Sequence, residues 1–377
     1  MSIKNKTYVI LGATSWDYFL NRGNYFAIEL ANMGHKVFFI EKMPSVAGKI
    51  KNFFSNKILN NKNDIPTNLK ILTPPTCLTF FNSSYLPFID KIQLHFWFNK
   101  IIQKYKLNNC ILIYAMPYWR YLSITKELFS AKYSVYDIAD DLQMFSRNNF
   151  TLNRMKLSDK YLKQEIDIII YSSRVMKNLF SLKTPNSFLI SNGVSDIFFK
   201  KNNSYKKLIS DNIKVGFAGN FNSNSIDIDL LKHISDNSNF NLEVCGNINN
   251  SLKKELPKIN FRGILTFNEL KIFIKSCDVC IIPFYNNNFN SVINPLKLYE
   301  YSSLGKPIVA TNTTDLKYYK DIIYFAKDKE EFVSKIFKAV KLDSNLLRKK
   351  RIRFAQNNLW STKTKELDDI IDNFSNR

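Results

Sequence analysis

Asn294-Pro295-Leu296-Lys297 and Glu300, with Gly305 and Pro307 behind them, have the types and spacing for phosphate chemistry. Asn294 is a natural helix N-cap and Pro295 suits the first helical position. Gly305 falls where the helix should stop, and Pro307 prevents its continuation. The N–H groups of Leu296 and Lys297 then have no partner within the helix, and helix N-termini hold phosphates through such groups. Lys297 adds a full positive charge there. Glu300, on the same helix face, could accept hydrogen bonds from ribose hydroxyls. The plainer alternative is a surface Lys–Glu pair at i,i+3, worth about 0.2–0.5 kcal/mol.

Two further groups could act with this stretch. Gly219-Asn220 follows the apolar run 215–218, and a glycine turn lets backbone approach a diphosphate. Asp137, Asp140 and Asp141 follow Val135-Tyr136, where carboxylates at a strand end could position an acceptor hydroxyl or take its proton. An Asx turn and a helix N-cap account for at least one of the three, and Asp140 is the preferred base. The histidines His35, His95 and His233 share no motif. Cys277 and Cys280 lack a second pair or a neighbouring histidine, so their spacing reads as a buried strand start and no metal site is expected.

The elements that must position these groups alternate between strand and helix. Apolar runs at 8–11 and 37–40 flank an amphipathic stretch, 24–33, that stops at Gly34; this is a βαβ unit and implies a parallel sheet. Runs at 110–114, 134–137, 166–171 and 187–190 continue the alternation. No G-x-G-x-x-G follows Leu11, which argues against a bound dinucleotide. The rhythm restarts at 214–219 and continues through strands at 242–245, near 261, at 279–283 and at 308–310. Helices are expected at 227–235, 267–275 and 295–304. The expected organisation is a first Rossmann-like α/β domain over 1–195, a polar linker over 196–211, a second over 212–342, and a helical segment over 343–377.

Composition narrows the classes. At 377 residues with 45% hydrophobic and 23% charged residues, the chain can build two full cores and is not a disordered chain. Its 54 Lys+Arg against 32 Asp+Glu leave a formal charge of +22, which points to an anionic partner. No window reaches the roughly 18 apolar residues of a membrane span, and the scattered cysteines suit a reducing compartment.

The run from Asn294 to Pro307 resembles the sugar-nucleotide signature of the retaining group 1 glycosyltransferases of GT-B fold, most of all their bacterial cell-surface polysaccharide branch, with its N-P-L-K-L-Y-E-Y and G-K-P-I-V pattern. Other motifs extend the resemblance along the chain: Trp16-Asp17 and Arg22 before the first helix, Asp137-x-x-Asp140-Asp141, Ser191-Asn192-Gly193-Val194, and Gly216-Phe217-Ala218-Gly219 followed by Ile226-Asp227. The resemblance implies two Rossmann-like domains facing across a cleft. It implies donor binding by Gly219, Asn220, Asn294, Leu296, Lys297 and Glu300, with Asp17, Arg22, Asp137 and Asp141 on the acceptor side and Asp140 and Lys297 catalytic. In retaining members the leaving phosphate itself is thought to help deprotonate the acceptor. One departure matters: the family's sugar-orienting Glu, eight residues before the ribose-binding one, is Val292 here, so donor-sugar recognition cannot be carried over.

The resulting expectation is a cytoplasmic enzyme, peripheral on the inner face of the membrane, that moves a sugar from a nucleotide-diphosphate donor to a lipid-linked surface glycan. The donor is a substrate, and no cofactor is expected. The segment 85–107, with Phe96, Trp97 and Phe98 among lysines, reads either as a membrane-surface helix or as a core helix with solvated lysines. The run Arg348-Lys349-Lys350-Arg351 reads as a solvated helix face. The rivals are a nucleotide-sugar epimerase on the same fold and a basic nucleic-acid-binding protein; against the latter, no recognised motif appears and the charge is spread along the chain.

Overall fold

The computed structural model describes residues 5–16, 20–44, 65–76, 87–142, 149–180, 186–199, 212–221 and 225–375. Asp17, residues 85–86 and most of the expected linker lie outside the described residues. The chain forms two compact units, Met1–Ile190 with Thr364–Arg377, and Ser191–Lys363. The C-terminal helical segment expected over 343–377 is therefore divided between the two units.

The first unit holds strands β1 (Thr7–Leu11), β2 (Lys36–Ile40), β3 (Leu69–Leu72), β4 (Ile111–Tyr114), β5 (Tyr133–Ile138), β6 (Ile168–Tyr171) and β7 (Ser187–Leu189). They pair in parallel in the order β3-β2-β1-β4-β5-β6-β7. Its helices are α1 (Arg22–Asn32), α2 (Pro87–Tyr105), α3 (Tyr118–Tyr121), α4 (Asn149–Glu165) and α5 (Arg174–Phe180). The second unit holds β8 (Ile213–Ala218), β9 (Phe240–Cys245), β10 (Asn260–Phe261), β11 (Val279–Ile282), β12 (Ile308–Thr311) and β13 (Tyr324–Ala326), in the order β10-β9-β8-β11-β12-β13 and again all parallel. Its helices are α6 (Ile228–Asp236), α7 (Asn250–Glu255), α8 (Phe267–Ser276), α9 (Asn288–Ser291), α10 (Leu296–Ser303), α11 (Lys329–Lys341) and α12 (Asn345–Gln356). A last helix, α13 (Trp360–Ser375), starts in the second unit and ends in the first.

The central strands are continuous apolar runs because helices cover both faces of each sheet. Val-Ile-Leu in β1, Ile-Leu-Ile-Tyr in β4 and Val-Cys-Ile-Ile in β11 are buried throughout. The two strands that the sequence did not suggest, β3 and β13, are both short and lie at sheet edges. Gly34 ends the turn after α1 with φ +93°, as its position after the amphipathic stretch required. The end of α13 is tied to the first sheet by Asp368, which accepts hydrogen bonds from Lys6, Tyr8 and buried His35. Burial alone would raise that carboxyl, but these three donors hold it well below the usual carboxylate range.

Candidate active site

In the second sheet the strand order reverses between β8 and β11, and a parallel α/β sheet binds ligands at the carboxyl edge of such a switch point. Gly219 leaves the end of β8 with its N–H bonded to the Cys245 carbonyl at 3.0 Å. Gly246, the residue after β9, has φ +138°, and a Cβ there would lie 1.7 Å from the Gly219 carbonyl oxygen. The two chain ends therefore approach too closely for any side chain at Gly246. Sequence reasoning singled out Gly219 and missed Gly246, although a glycine directly after the run 242–245 was the available signal. Exposed Asn220 follows Gly219 at this edge.

Helix α10 is anchored against the same edge. The Tyr301 hydroxyl, one turn into the helix, accepts a hydrogen bond from the Ala218 N–H at 2.9 Å, and both residues are buried. The helix starts at Leu296, but not with the expected cap. Pro295 occupies the N-cap position and offers no side-chain bond, while Asn294 is buried and engaged elsewhere. Its Nδ2 donates to Asp315 at 3.0 Å and to the Tyr319 hydroxyl at 2.9 Å. Its Oδ1 accepts from the Tyr299 hydroxyl at 2.9 Å and from the Asn192 N–H at 3.1 Å, and its carbonyl accepts from Asn192 Nδ2 at 2.6 Å. Asn294 thus positions the helix start and does not cap it. Buried neighbours outcompete a local cap here because an unsatisfied polar group in the core is the costlier outcome. Asp315 and Tyr319, which lie after β12, complete this network and carry no motif of their own.

Lys297 and Glu300 meet on the first turn of α10, with Nζ donating to Oε2 at 2.7 Å. Glu300 is only 9% exposed, so this is not the solvated surface pair of the plainer reading. The ammonium keeps two further protons and the carboxylate a second oxygen for other partners. Burial pushes the Cys245 thiol up to about 12, with Lys297 pulling it down and Glu300 raising it. The pair therefore lies within electrostatic reach of the end of β9, beside the Gly219–Gly246 approach. Leu296 opens the helix immediately before it. Val292 is buried in the loop that precedes α10.

In the first sheet the order reverses between β1 and β4. Arg22, the first residue of α1, donates from Nε to both carboxylate oxygens of Asp137 at 2.8 and 3.0 Å, and both side chains are buried. Asn21 starts this helix with a capping box to Asn24. Burial raises the Asp137 carboxyl, and Arg22 opposes that shift. Half-buried Asp140 lies just beyond β5. Burial pushes its carboxyl up to about 6, with the Asp137 charge adding, Arg22 opposing and Asp141 adding again. Arg22, Asp137, Asp140 and Asp141 thus form one electrostatic group at the carboxyl edge. A carboxylate tuned to about 6 can take a proton from a hydroxyl near neutral pH.

Two expectations about charge and apolar surface change. Arg351 is buried: it donates to the Gly305 carbonyl at 3.1 and 2.9 Å and to Asp343 at 2.5 Å, closing the end of α10. The basic run is therefore not a uniformly solvated face. In α2, Phe98 is core and Trp97 is half-buried, so of the three aromatics only Phe96, at 72%, is exposed. Its exposed apolar companions on α2 are Ile89 and Ile92. Among the described residues no helix is long and apolar enough to cross a membrane.

With this geometry in place, residues 212–341 match the family described as glycosyl transferases group 1. A Bacillus subtilis (strain 168) relative, TuaH, named a teichuronic acid biosynthesis glycosyltransferase, is 33% identical over 57 residues, which is 15% of this chain and 14% of that protein's length. Among solved structures, sucrose-phosphate synthase from Thermosynechococcus elongatus superposes with a TM-score of 0.74 at 12% identity, covering 98% of this chain and 99% of that one. Anabaena Alr3699/HepE in complex with UDP-glucose gives a TM-score of 0.67 at 13% identity, covering 98% and 100%. These likenesses establish the fold as GT-B.

Proposed function

We propose, on the premise that residues 212–341 are a group 1 glycosyltransferase domain within a GT-B fold, that this protein transfers a sugar from a nucleotide-diphosphate donor to a hydroxyl of a lipid-linked surface glycan. The observation that carries the reading is the Lys297–Glu300 pair on the first turn of α10, seated beside the Gly219–Gly246 approach at the switch point of the second sheet. The departing nucleoside diphosphate gains negative charge as the glycosidic bond breaks. Lys297 and the first-turn N–H groups of Leu296 and Lys297 would stabilise that charge, and Glu300 would hold the ribose hydroxyls. Asn220, beside the glycine turn, would line the diphosphate. The relative solved with UDP-glucose makes uridine nucleotides the first donors to test.

On the first unit, Asp140 would accept the acceptor proton. Arg22 would hold Asp137 and, with Asp141, set the charge around it. Asp17 belongs to the same assignment on the family motif alone. The protein would work at the cytoplasmic face of an anionic membrane, where its net charge favours adsorption.

The test is a thermal-shift screen of nucleoside diphosphates and their sugars, followed by product analysis with and without a glycan acceptor. Stabilisation by one nucleotide family and product that requires acceptor is the expected result. Conversion of the sugar nucleotide with no acceptor present would assign an epimerase instead, and no stabilisation by any nucleotide would remove the donor site.

A further inference from the structure

We propose that the helix layer on one face of the first sheet, α2 through α5, docks flat on an anionic lipid bilayer, with α4 and α5 sharing the contact that α2 begins. Every crossover from β3 to β7 runs in the same direction across this sheet. Right-handed crossovers then place α2, α3, α4 and α5 on one face. Side-chain contacts follow that order. Phe98 of α2 meets Trp119 of α3 with ring centroids 6.1 Å apart. Arg120 of α3 lies 5.9 Å from the Tyr161 ring of α4, and Lys163 of α4 lies 5.1 Å from the Phe180 ring of α5.

The outer side of this layer is apolar and basic. On α2, Ile89, Ile92 and Phe96 lie away from buried Leu94, Phe98 and Ile101. On α4, Leu157 is 51% exposed on the side away from buried Met155, Ser158 and Leu162, and exposed Lys156 and Lys160 flank it. Leu179 and Phe180 are exposed at the end of α5. Exposed Lys100 and Lys104 continue the basic face on α2. Among the described residues of α2, α4 and α5 the one exposed acid is Glu165, and Arg120 holds it at 2.6 Å. Large apolar side chains exposed across several neighbouring helices mark an interaction surface.

A bilayer fits this face better than a protein does. Protein interfaces are depleted of lysine, whereas here lysines alternate with the apolar groups. A second copy meeting the same face would bring Lys156 and Lys160 against like charge. An anionic leaflet attracts the lysines while leucine and phenylalanine enter the headgroup region. The strands then run along the membrane, and the carboxyl edge with Asp137 and Asp140 opens sideways, one helix layer of about 10 Å from the lipid. A lipid-linked hydroxyl can reach that edge from the side. This surface deepens the membrane-peripheral reading, on which it rests.

The experiment sediments the full chain with vesicles of phosphatidylcholine and phosphatidylglycerol in equal parts, at low and high salt. Lys156→Gln/Lys160→Gln should lower low-salt partition about tenfold or more, since each basic residue near the surface adds to the attraction. Leu157→Ser/Leu179→Ser should lower it by a similar factor. Melting temperatures without lipid should stay at the wild-type value, because all four positions are exposed. Lys253→Gln/Lys254→Gln, on α7 of the second unit, removes the same charge and should bind as wild type. A loss there equal to that of the α4 lysines would mean adsorption by net charge and overturns the surface. So does wild-type partition in both the lysine and the leucine variants, which would leave α2 as the contact by itself. Self-association of the wild type that Leu157→Ser/Leu179→Ser abolishes would overturn it in favour of an interface between copies. Wild-type protein that binds no vesicle overturns the membrane reading as well. Nucleotide binding is read on the same samples, so failure of the donor site is distinguishable from failure of this surface.

Discussion

Glu300 and Lys297 share one contact but answer to different measurements. Glu300→Ala should weaken nucleotide affinity by about 1.5–3 kcal/mol, the worth of a charged hydrogen bond. Unchanged affinity in a folded variant would return Glu300 to the role of Lys297's structural partner. Lys297→Ala should lower kcat more than ground-state binding, because charge on the leaving group grows toward the transition state; equal losses in kcat and affinity would mean uniform binding. Asp140 adds a pH dependence. Its carboxyl, raised to about 6 by burial, binds a proton more tightly folded than unfolded. Between roughly pH 4 and 6 the native state thus carries the extra proton, and stability falls as pH rises through that window. Asp140→Asn should therefore melt higher than wild type at pH 8. Wild-type turnover should decline below about pH 6 as the base is protonated, and a flat profile there would remove Asp140 from the chemistry.

At the scale of elements, α10 shows how a helix start is made useful by what surrounds it. Its N-terminus is set by the Asn192–Asn294–Asp315 network, its middle by Tyr301 against β8, and its end by Gly305 at φ +69° under Arg351. Arg351→Ala would remove the buried hydrogen bonds to the Gly305 carbonyl and the ion pair with Asp343. Breaking a buried ion pair from one side costs about 3–5 kcal/mol, so the variant should melt well below wild type, whereas Lys350→Ala at the exposed position next to it should be neutral. Equal effects from the two would contradict the buried assignment.

Over the whole molecule, charge and apolar exposure combine on α2, where Ile89, Ile92 and Phe96 are exposed and Lys100 and Lys104 follow toward the helix end. Binding to vesicles with anionic lipid should be released by high salt. It should fall several-fold when Ile92 and Phe96 become serine, and far less when half-buried Trp97 is changed. Protein that stays in the supernatant at low salt would sink the membrane assignment and leave the donor site untouched. Phe98 is unsuitable for this test because it is core, and its loss would report folding.

Much of this architecture was legible in residue order. Continuous apolar runs between amphipathic stretches dictate parallel sheets with helices on both faces, and glycine and proline mark where elements end. The strands β3 and β13 escaped because short edge strands need no continuous apolar run. The spacing of Lys297 and Glu300 placed both on one helix face. What residue order left undecided was competition for partners. Asn294 has the right chemistry for a cap, yet side chains distant in sequence claim it in the core. Arg351 looks like its basic neighbours until the fold buries it against Gly305 and Asp343. Gly246 matters only because Gly219, distant in sequence, is brought against it. Hydrophobic periodicity and turn chemistry are local and can be read along the chain, whereas burial and hydrogen-bond partnership are set by contacts between distant segments and exist only in the folded molecule.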